Sequence, residues 1–351
     1  MALASIYQGA WRPLLLIAVY ILSIPVCAAA IVAKSQNDQR EYATFLLSNQ
    51  LKVLIVSDPR TDKSAAALDV FVGSRDDPQN RQGLAHFLEH MLFLGTRKYP
   101  QPGEYQDFIS THGGSHNAYT AFEHTNYYFD IDKTYLEPAL DRFAQFFIAP
   151  LFTPEYVERE KNAVHSEYQS RRKDDDLRLH QVWKRVVNQQ HPFAKFTVGS
   201  LDTLADRDGS SVRDELIDFH NRYYSANIMA LTVLGKEPLA VLEQWVSEKF
   251  SPIKNVNAQP AATSTPLFQE GRLPARIDVV PLKDRRVMQL AFPIPAMSQY
   301  YRAKPVDQIA NLLGHEGKGS LFSLLKSKGW IDTLSAGPSL NHRDGATFNV
   351  S

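Results

Sequence analysis

One short stretch, residues 83–95, constrains this 351-residue chain more than any other. It reads GLAHFLEHMLFLG and is apolar on almost every side, which predicts a buried helix of about three turns that Gly95 ends. His86 and His90 lie one turn apart on one face of such a helix, with Glu89 beside them. Because a buried, unpaired carboxylate costs several kcal/mol, these side chains need a partner, and a metal ion would supply one.

The spacing His-x-x-Glu-His is the inverted order of a zinc-protease signature. In this pattern His86 and His90 are the candidate metal ligands, and Glu89 is placed as a base beside the metal rather than as a third ligand. The alternative interpretation is a core helix whose histidines are simply hydrogen-bonded. A catalytic zinc ion takes three protein ligands and leaves one position for water, so we expect a third ligand from another element.

A long helix is predicted from Thr153, as N-cap, to about residue 187. At intervals of three, four and three residues, one stripe along it combines apolar and acidic side chains: Val157, Glu160, Val164 and Glu167. Two glutamates on the inward stripe of an amphipathic helix need an explanation. A metal site elsewhere in the domain provides one.

Composition narrows the classes of protein and of metal site. The chain is 44% hydrophobic, which provides apolar residues for two domains, and it has 38 basic and 38 acidic residues. The balanced charge argues against a nucleic-acid binder that depends on phosphate contacts. Cys27 is the only cysteine, so nitrogen and oxygen ligands must hold any metal in the folded part, which favours catalytic over structural zinc.

Residues 1–33 are interpreted as an export signal. The segment from Pro13 to Ala33 carries no charged residue, and small residues near Ala28 offer a cleavage site. The alternative is an uncleaved membrane anchor, which would be the chain's only contact with a membrane. Both interpretations place the folded part outside the cytoplasm, and we expect an exported protein in the periplasm.

The remaining patterns predict an α+β fold. Residues 41–250 form one complete unit, 251–272 read as a linker, and 273–351 begin a second, similar unit. Residues 115–120 and 125–131 are predicted to be an antiparallel pair of strands. The first is polar enough to be an edge strand, which either is a plain sheet edge or accepts an extended peptide.

Three segments resemble the insulinase/pitrilysin family of inverted-motif zinc peptidases: 86–90 (HFLEH), 123–129 (EHTNYYF) and 160–167 (EKNAVHSE). The resemblance implies that Glu167 is the third zinc ligand, because it stands at the family's distance in sequence from His90. It also implies that Glu160 is a supporting acid near the zinc. Asn117 and Ala118 match the family's substrate-binding edge strand.

The resemblance further implies one Zn²⁺ per chain and an endopeptidase that hydrolyses peptides or small unfolded polypeptides through metal-activated water. Long family members are built from four such units in two halves, and their later half supplies an arginine and a tyrosine that help the reaction. We therefore expect activity to require a C-terminal half, either on the same chain or as a partner chain. The alternative functions are a non-catalytic peptide-binding clamp and a subunit of a two-chain peptidase complex.

Overall fold

The computed structural model describes residues 32–351. The predicted export segment, residues 1–33, therefore lies almost wholly outside the described part of the chain. Within residues 32–351, no helix combines the length and the apolar character that a membrane crossing requires.

The first unit is built on a six-stranded mixed sheet. Its strands are β1 (Glu41–Leu46), β2 (Lys52–Ser57), β3 (Lys63–Val70), β4 (Ser115–Thr120), β5 (Thr125–Asp132) and β6 (Met229–Gly235). They lie in the order β1-β2-β6-β3-β5-β4. The β2–β6 pair is parallel and the other neighbours are antiparallel. The predicted edge strand β4 does lie at an edge, whereas β1, at the other edge, was not predicted.

Seven α-helices accompany this sheet among the described residues: α1 (Leu84–Met91), α2 (Glu104–Thr111), α3 (Leu136–Ile148), α4 (Pro154–Arg171), α5 (Asp175–Val186), α6 (Val212–Tyr223) and α7 (Leu239–Phe250). Alternate residues of β5 are buried, which is the pattern of a strand with one covered face. On that face Tyr127 and Phe129 contact Phe147 and Phe143 of α3 edge-on, with ring centroids 5.5 and 5.3 Å apart. Helix α1 packs against α4, α6 and β4.

The prediction of one long helix from Thr153 to about residue 187 is wrong, because the helix ends at Arg171 and a new one begins at Asp175. The Asp174 side chain caps α5 by accepting hydrogen bonds from the N–H groups of Asp176 and Leu177. The charged run 171–176, which falls inside the predicted long helix, therefore contains the start of a separate helix. Thr153 does precede α4, but its side chain makes no capping hydrogen bond.

The second unit contains a three-stranded sheet in the order β7-β9-β8. Its elements are β7 (Leu290–Ile294), α8 (Pro305–Leu313), α9 (Leu321–Ser327), β8 (Ala336–His342) and β9 (Gly345–Val350). The two sheets with their helices confirm the predicted α+β class.

The predicted linker, 251–272, contains no helix or strand, but it packs on the first unit. Ala258 and Leu267 are buried, and their carbonyls accept hydrogen bonds from Asn227 Nδ2 and the Asn188 N–H group. The segment is therefore held in place along its length rather than being a free tether.

The turn between β8 and β9 contacts the first unit through charged side chains. Asp344 pairs with Arg75, whose side chain is fully buried, and Arg343 Nε donates to Glu123 at 2.8 Å. Glu123 lies in the turn between β4 and β5, so the second unit contacts the strand pair that forms the sheet edge.

Candidate metal centre

Helix α1 carries both histidines of the inverted motif. It begins after Gly83, whose φ of +92° is a conformation that glycine adopts readily. The regular helix ends at Met91, earlier than the predicted end at Gly95, although Gly95 also has a positive φ of +111°. His86 is in the first turn of the helix and His90 in the second.

The structure brings the two histidines and one glutamate of α4 together. The Nε2 atoms of His86 and His90 are 3.3 Å apart. Glu167 Oε2 lies 3.6 Å from His86 Nε2 and 3.7 Å from His90 Nε2. Tetrahedral zinc with bonds of about 2.0–2.1 Å places its ligand atoms about 3.4 Å apart. The three atoms therefore fit around a single zinc ion, and no other such group occurs in the described part of the chain.

Each histidine is oriented by a second contact at its other nitrogen. His90 Nδ1 lies 2.9 Å from Glu160 Oε1, and His86 Nδ1 lies 2.6 Å from the carbonyl oxygen of Val198. A proton on each Nδ1 satisfies these acceptors and leaves the Nε2 lone pairs free for a metal. The sequence pattern indicated Glu160, but a backbone carbonyl such as that of Val198 leaves no signal in residue identity.

The charges of the cluster fit a cation at its centre. Burial lowers the pKa of His90, but the hydrogen bond to Glu160 and the nearby carboxylates of Glu167 and Glu89 outweigh burial and raise that pKa to about 9. The nearby imidazole of His90 lowers the pKa of Glu167, and the charges of His86 and Arg171 lower it further. The two carboxylates that face the His90 imidazole therefore favour positive charge at this position, and zinc would supply that charge.

Glu89 lies beside the cluster without joining its three candidate ligand residues. It is 8% exposed, and its Oε2 accepts a hydrogen bond from Thr120 Oγ1 at 2.5 Å. Burial raises the pKa of Glu89, while the Thr120 hydroxyl and the two histidines oppose that rise. Thr120 was not among the predicted site residues, and its signal in the sequence was its place on the inward face of β4.

Asn117 and Ala118 lie on β4, which pairs with β5 at the edge of the six-stranded sheet formed by the described residues. The Asn117 side chain is exposed, and its Oδ1 accepts the N–H of Ala118 at 2.9 Å. Thr120, at the end of the same strand, contacts Glu89. The sheet edge therefore runs to the carboxylate beside the ligand cluster.

An α+β unit with this three-ligand cluster, a buried carboxylate beside it and a sheet edge alongside is typical of a zinc metallopeptidase domain. Residues 52–199 match the family model Insulinase (Peptidase family M16), and residues 211–351 match the Peptidase M16 inactive domain. The chain belongs to peptidase family M16, a family of zinc metallopeptidases, and its metal cofactor is zinc.

Two curated proteins illustrate the similarity of this chain to known sequences. Insulin-degrading enzyme of Homo sapiens is 50% identical over 309 residues, which are 87% of this chain and 30% of the relative. A-factor-processing enzyme of Saccharomyces cerevisiae is 42% identical over 320 residues, or 90% of this chain and 31% of the relative. The chain thus spans about a third of the length of these relatives.

Among solved structures, the crystal structure of pitrilysin matches with a TM-score of 0.86 and 35% identity. The match covers 92% of this chain and 34% of pitrilysin. The match therefore includes both units of this chain and one portion of the longer pitrilysin chain.

Proposed function

We propose that the chain is the catalytic part of a zinc endopeptidase that hydrolyses peptides or small unfolded polypeptides. The observation that carries the proposal is the convergence of His86 Nε2, His90 Nε2 and Glu167 Oε2, which lie 3.3–3.7 Å from one another. These three residues would hold the zinc. When bound, zinc lowers the pKa of water and polarises a scissile carbonyl.

Glu89 is the proposed general base. Its carboxylate takes the proton of the attacking water and passes it to the leaving amine. Burial raises the pKa of Glu89, so its carboxylate holds the proton more firmly after taking it from water and before giving it to the amine. The Thr120 hydroxyl fixes one carboxylate oxygen and leaves the other free for the water.

The substrate would pair with β4 as an added strand. Asn117 and Ala118 lie in the middle of this edge strand. The Ala118 N–H, which Asn117 Oδ1 accepts in the structure, would instead be donated to the backbone of the substrate. Because Thr120 joins the end of β4 to Glu89, a peptide paired along this edge passes directly by the base. Backbone pairing depends little on side chains, which suits an enzyme for unfolded segments.

Hydrolysis of a quenched fluorescent peptide, with zinc content measured on the same samples, tests the proposal. Glu89→Gln should lose turnover and keep zinc, whereas Glu167→Ala should lose both, and chelation should abolish turnover. Glu155→Gln, an exposed acid on α4, is the control. Full activity in Glu89→Gln would show that the base is wrongly assigned.

We also propose that activity needs a C-terminal half, either as a continuation of the chain or as a partner. Large apolar side chains are strongly exposed in the second unit: Val280 (81%), Met288 (75%), Leu312 (74%) and Trp330 (69%). An apolar groove of about 710 Å³ also lies between α5 and residues 273–293. Exposed apolar surface of this extent is typical of an interaction site.

Sizing the purified chain with and without the polypeptide encoded directly downstream tests this requirement. A stable complex with restored peptide hydrolysis is the expected result. Zinc and peptide binding without cleavage, even in that complex, would instead support a non-catalytic clamp.

We propose the following division of the chain. Residues 1–33 are an export signal, 41–250 the catalytic unit, 251–272 the connection and 273–351 the start of an inactive-type unit. Export to the periplasm, or anchoring with the folded part outside the cytoplasm, rests on the uncharged N-terminal segment. Mass spectrometry of the mature chain from separated cell fractions would show whether this segment is removed.

A further inference from the structure

The start of α1 has no side chain of its own to cap it. Its N-cap residue is Gly83, where a Cβ atom would come within 2.4 Å of Gly199 backbone atoms. Any larger residue would push away the segment 198–199, whose Val198 carbonyl orients His86. The helix must therefore satisfy its first free N–H groups with an acceptor from elsewhere in the chain.

Asp77 supplies that acceptor. Its Oδ2 accepts the Gly83 N–H at 2.7 Å, and its Oδ1 accepts the Ala85 N–H at 2.8 Å. The residue is 2% exposed, and Lys195 Nζ holds its backbone by donating to the Asp77 carbonyl at 2.6 Å. A carboxylate at this end also interacts favourably with the positive end of the helix dipole.

The capped turn carries one of the candidate zinc ligands. Helix α1 has only eight residues, a length that is marginal without support from its surroundings. His86 lies in its first turn, next to Ala85, whereas His90 lies in the second turn, where Glu160 holds it. Loss of the cap would therefore displace His86 relative to Glu167 of α4, while His90 would keep its position.

We propose that Asp77 is a positioning residue for the zinc site, whose carboxylate fixes the first turn of α1 and so the imidazole of His86. The inference rests on the proposed ligand set of His86, His90 and Glu167. It adds a residue outside the inverted motif that decides how tightly the site holds its metal.

The neighbouring Asp76 provides a matched control. It too is buried and accepts two backbone N–H groups, those of Gly73 at 3.1 Å and Ala261 at 2.8 Å. Neither of these belongs to α1. Asp76→Asn therefore removes the same charge from the same turn of chain while leaving the cap of the zinc helix intact.

Zinc affinity of the full chain, measured by competition with a chromophoric chelator, tests the inference without reference to activity. Asp77→Asn should raise the dissociation constant about tenfold, the lower end for residues that orient metal ligands, while Asp76→Asn should stay near wild type. Both should be measured where circular dichroism shows folded protein. The visible absorption of the Co²⁺-substituted chain should change only in Asp77→Asn, because only that variant alters ligand geometry.

Two outcomes are distinguishable. If the wild-type chain binds no zinc, the ligand set is wrong and the inference falls with it. If the wild type binds zinc and Asp77→Asn binds it equally well with an unchanged Co²⁺ spectrum, the inference alone is overturned.

Should Asp77→Asn not fold, hydrogen exchange on the wild type decides. The Gly83 and Ala85 amides should be as protected as the interior of α1. Exchange at the rate of exposed amides would overturn the inference.

Discussion

His90 Nδ1 lies 2.9 Å from Glu160 Oε1, and this contact turns the opposite nitrogen of the ring toward His86 and Glu167. The two glutamates stand on one stripe of α4, so a single helix both faces the cluster and orients a histidine of α1. The relationship gives the acidic side chain at position 160, which lies between two buried valines of the stripe, a partner on α1.

Glu160→Gln should weaken zinc binding about ten- to a hundredfold, because a neutral amide holds the His90 Nδ1–H less firmly and makes the imidazole a poorer donor. In the metal-free chain the pKa of His90 should fall, since the hydrogen bond to this carboxylate helps to raise it. Chelator competition and an NMR titration measure the two effects. Glu155→Gln, exposed on the same helix, should change neither, and equal zinc affinity in both variants would contradict the assignment.

Thr120→Val should lower kcat/KM for peptide hydrolysis about tenfold to a hundredfold, the range of one lost hydrogen bond to a charged group. The hydroxyl opposes the rise in the pKa of Glu89 that burial causes. Without it that pKa rises further, so the acid limb of the pH–kcat/KM profile should move to higher pH. Thr120→Ser keeps the hydroxyl and should restore both; a profile unchanged in Thr120→Val would rule out this role.

Much of the site could be predicted because its determinants are periodic. The His-x-x-Glu-His spacing defines a helical face, and the stripe through Glu160 and Glu167 survives the shorter helix, since both lie before Arg171. What the sequence did not reveal comes from contacts distant along the chain. The Val198 carbonyl contacts His86, and the Asp77 carboxylate contacts backbone N–H groups at the start of α1. The pattern of side chains in the sequence does not indicate which loop packs on α1.

The prediction of where α4 ends failed for a different reason. The run of charged residues after Arg171 continues the helical pattern, and only the Asp174 side chain, bonded to two backbone N–H groups, marks a restart. Aspartate favours helix N-caps and also occurs on solvated helix faces. An aspartate at position 174 therefore did not distinguish a new helix start from the continuation of one helix.

Asp344→Asn should destabilise the contact between the two units by about 1–3 kcal/mol, because it removes a carboxylate from a fully buried guanidinium. Glu123, 3.4 Å from the same Arg75 nitrogen, keeps the loss below that of a wholly unpaired charge. Urea unfolding measures the change. Asp332→Asn, an exposed acid of the second unit, should be neutral.

The double variant Arg75→Met with Asp344→Asn separates charge from packing. It should lose less stability than the two single changes added together, since no buried charge is left without its partner. Strict additivity would show that the ion pair contributes nothing specific to this contact.

Acid should weaken the same contact through buried and partly buried histidines. Burial lowers the pKa of His342 to about 4, helped by the charges of His191 and Arg75 and opposed by Glu123 and Asp344. An unfolded histidine titrates near 6.5. Between about pH 6.5 and 4 the unfolded chain therefore binds more protons than the folded one, so the stabilising contribution is complete above pH 6.5 and is lost as pH falls.

Two further histidines near this contact act in the same direction. Burial lowers the pKa of His180 to about 4, with Lys184 and His342 adding to the shift, and it also lowers the pKa of His191. The loss of stability on acidification should therefore exceed what one residue can cause. Changing His342 alone should remove only its own share of that loss.

His342→Gln should reduce the loss of unfolding free energy between pH 7 and pH 5 by about 1–2 kcal/mol, because glutamine has no proton to gain. Urea midpoints at pH 5, 6 and 7 measure it. His315→Gln, an exposed histidine of the same unit, should follow the wild-type pH dependence. If His342→Gln were to follow it as well, the acid sensitivity of the chain would have to come from groups outside this contact.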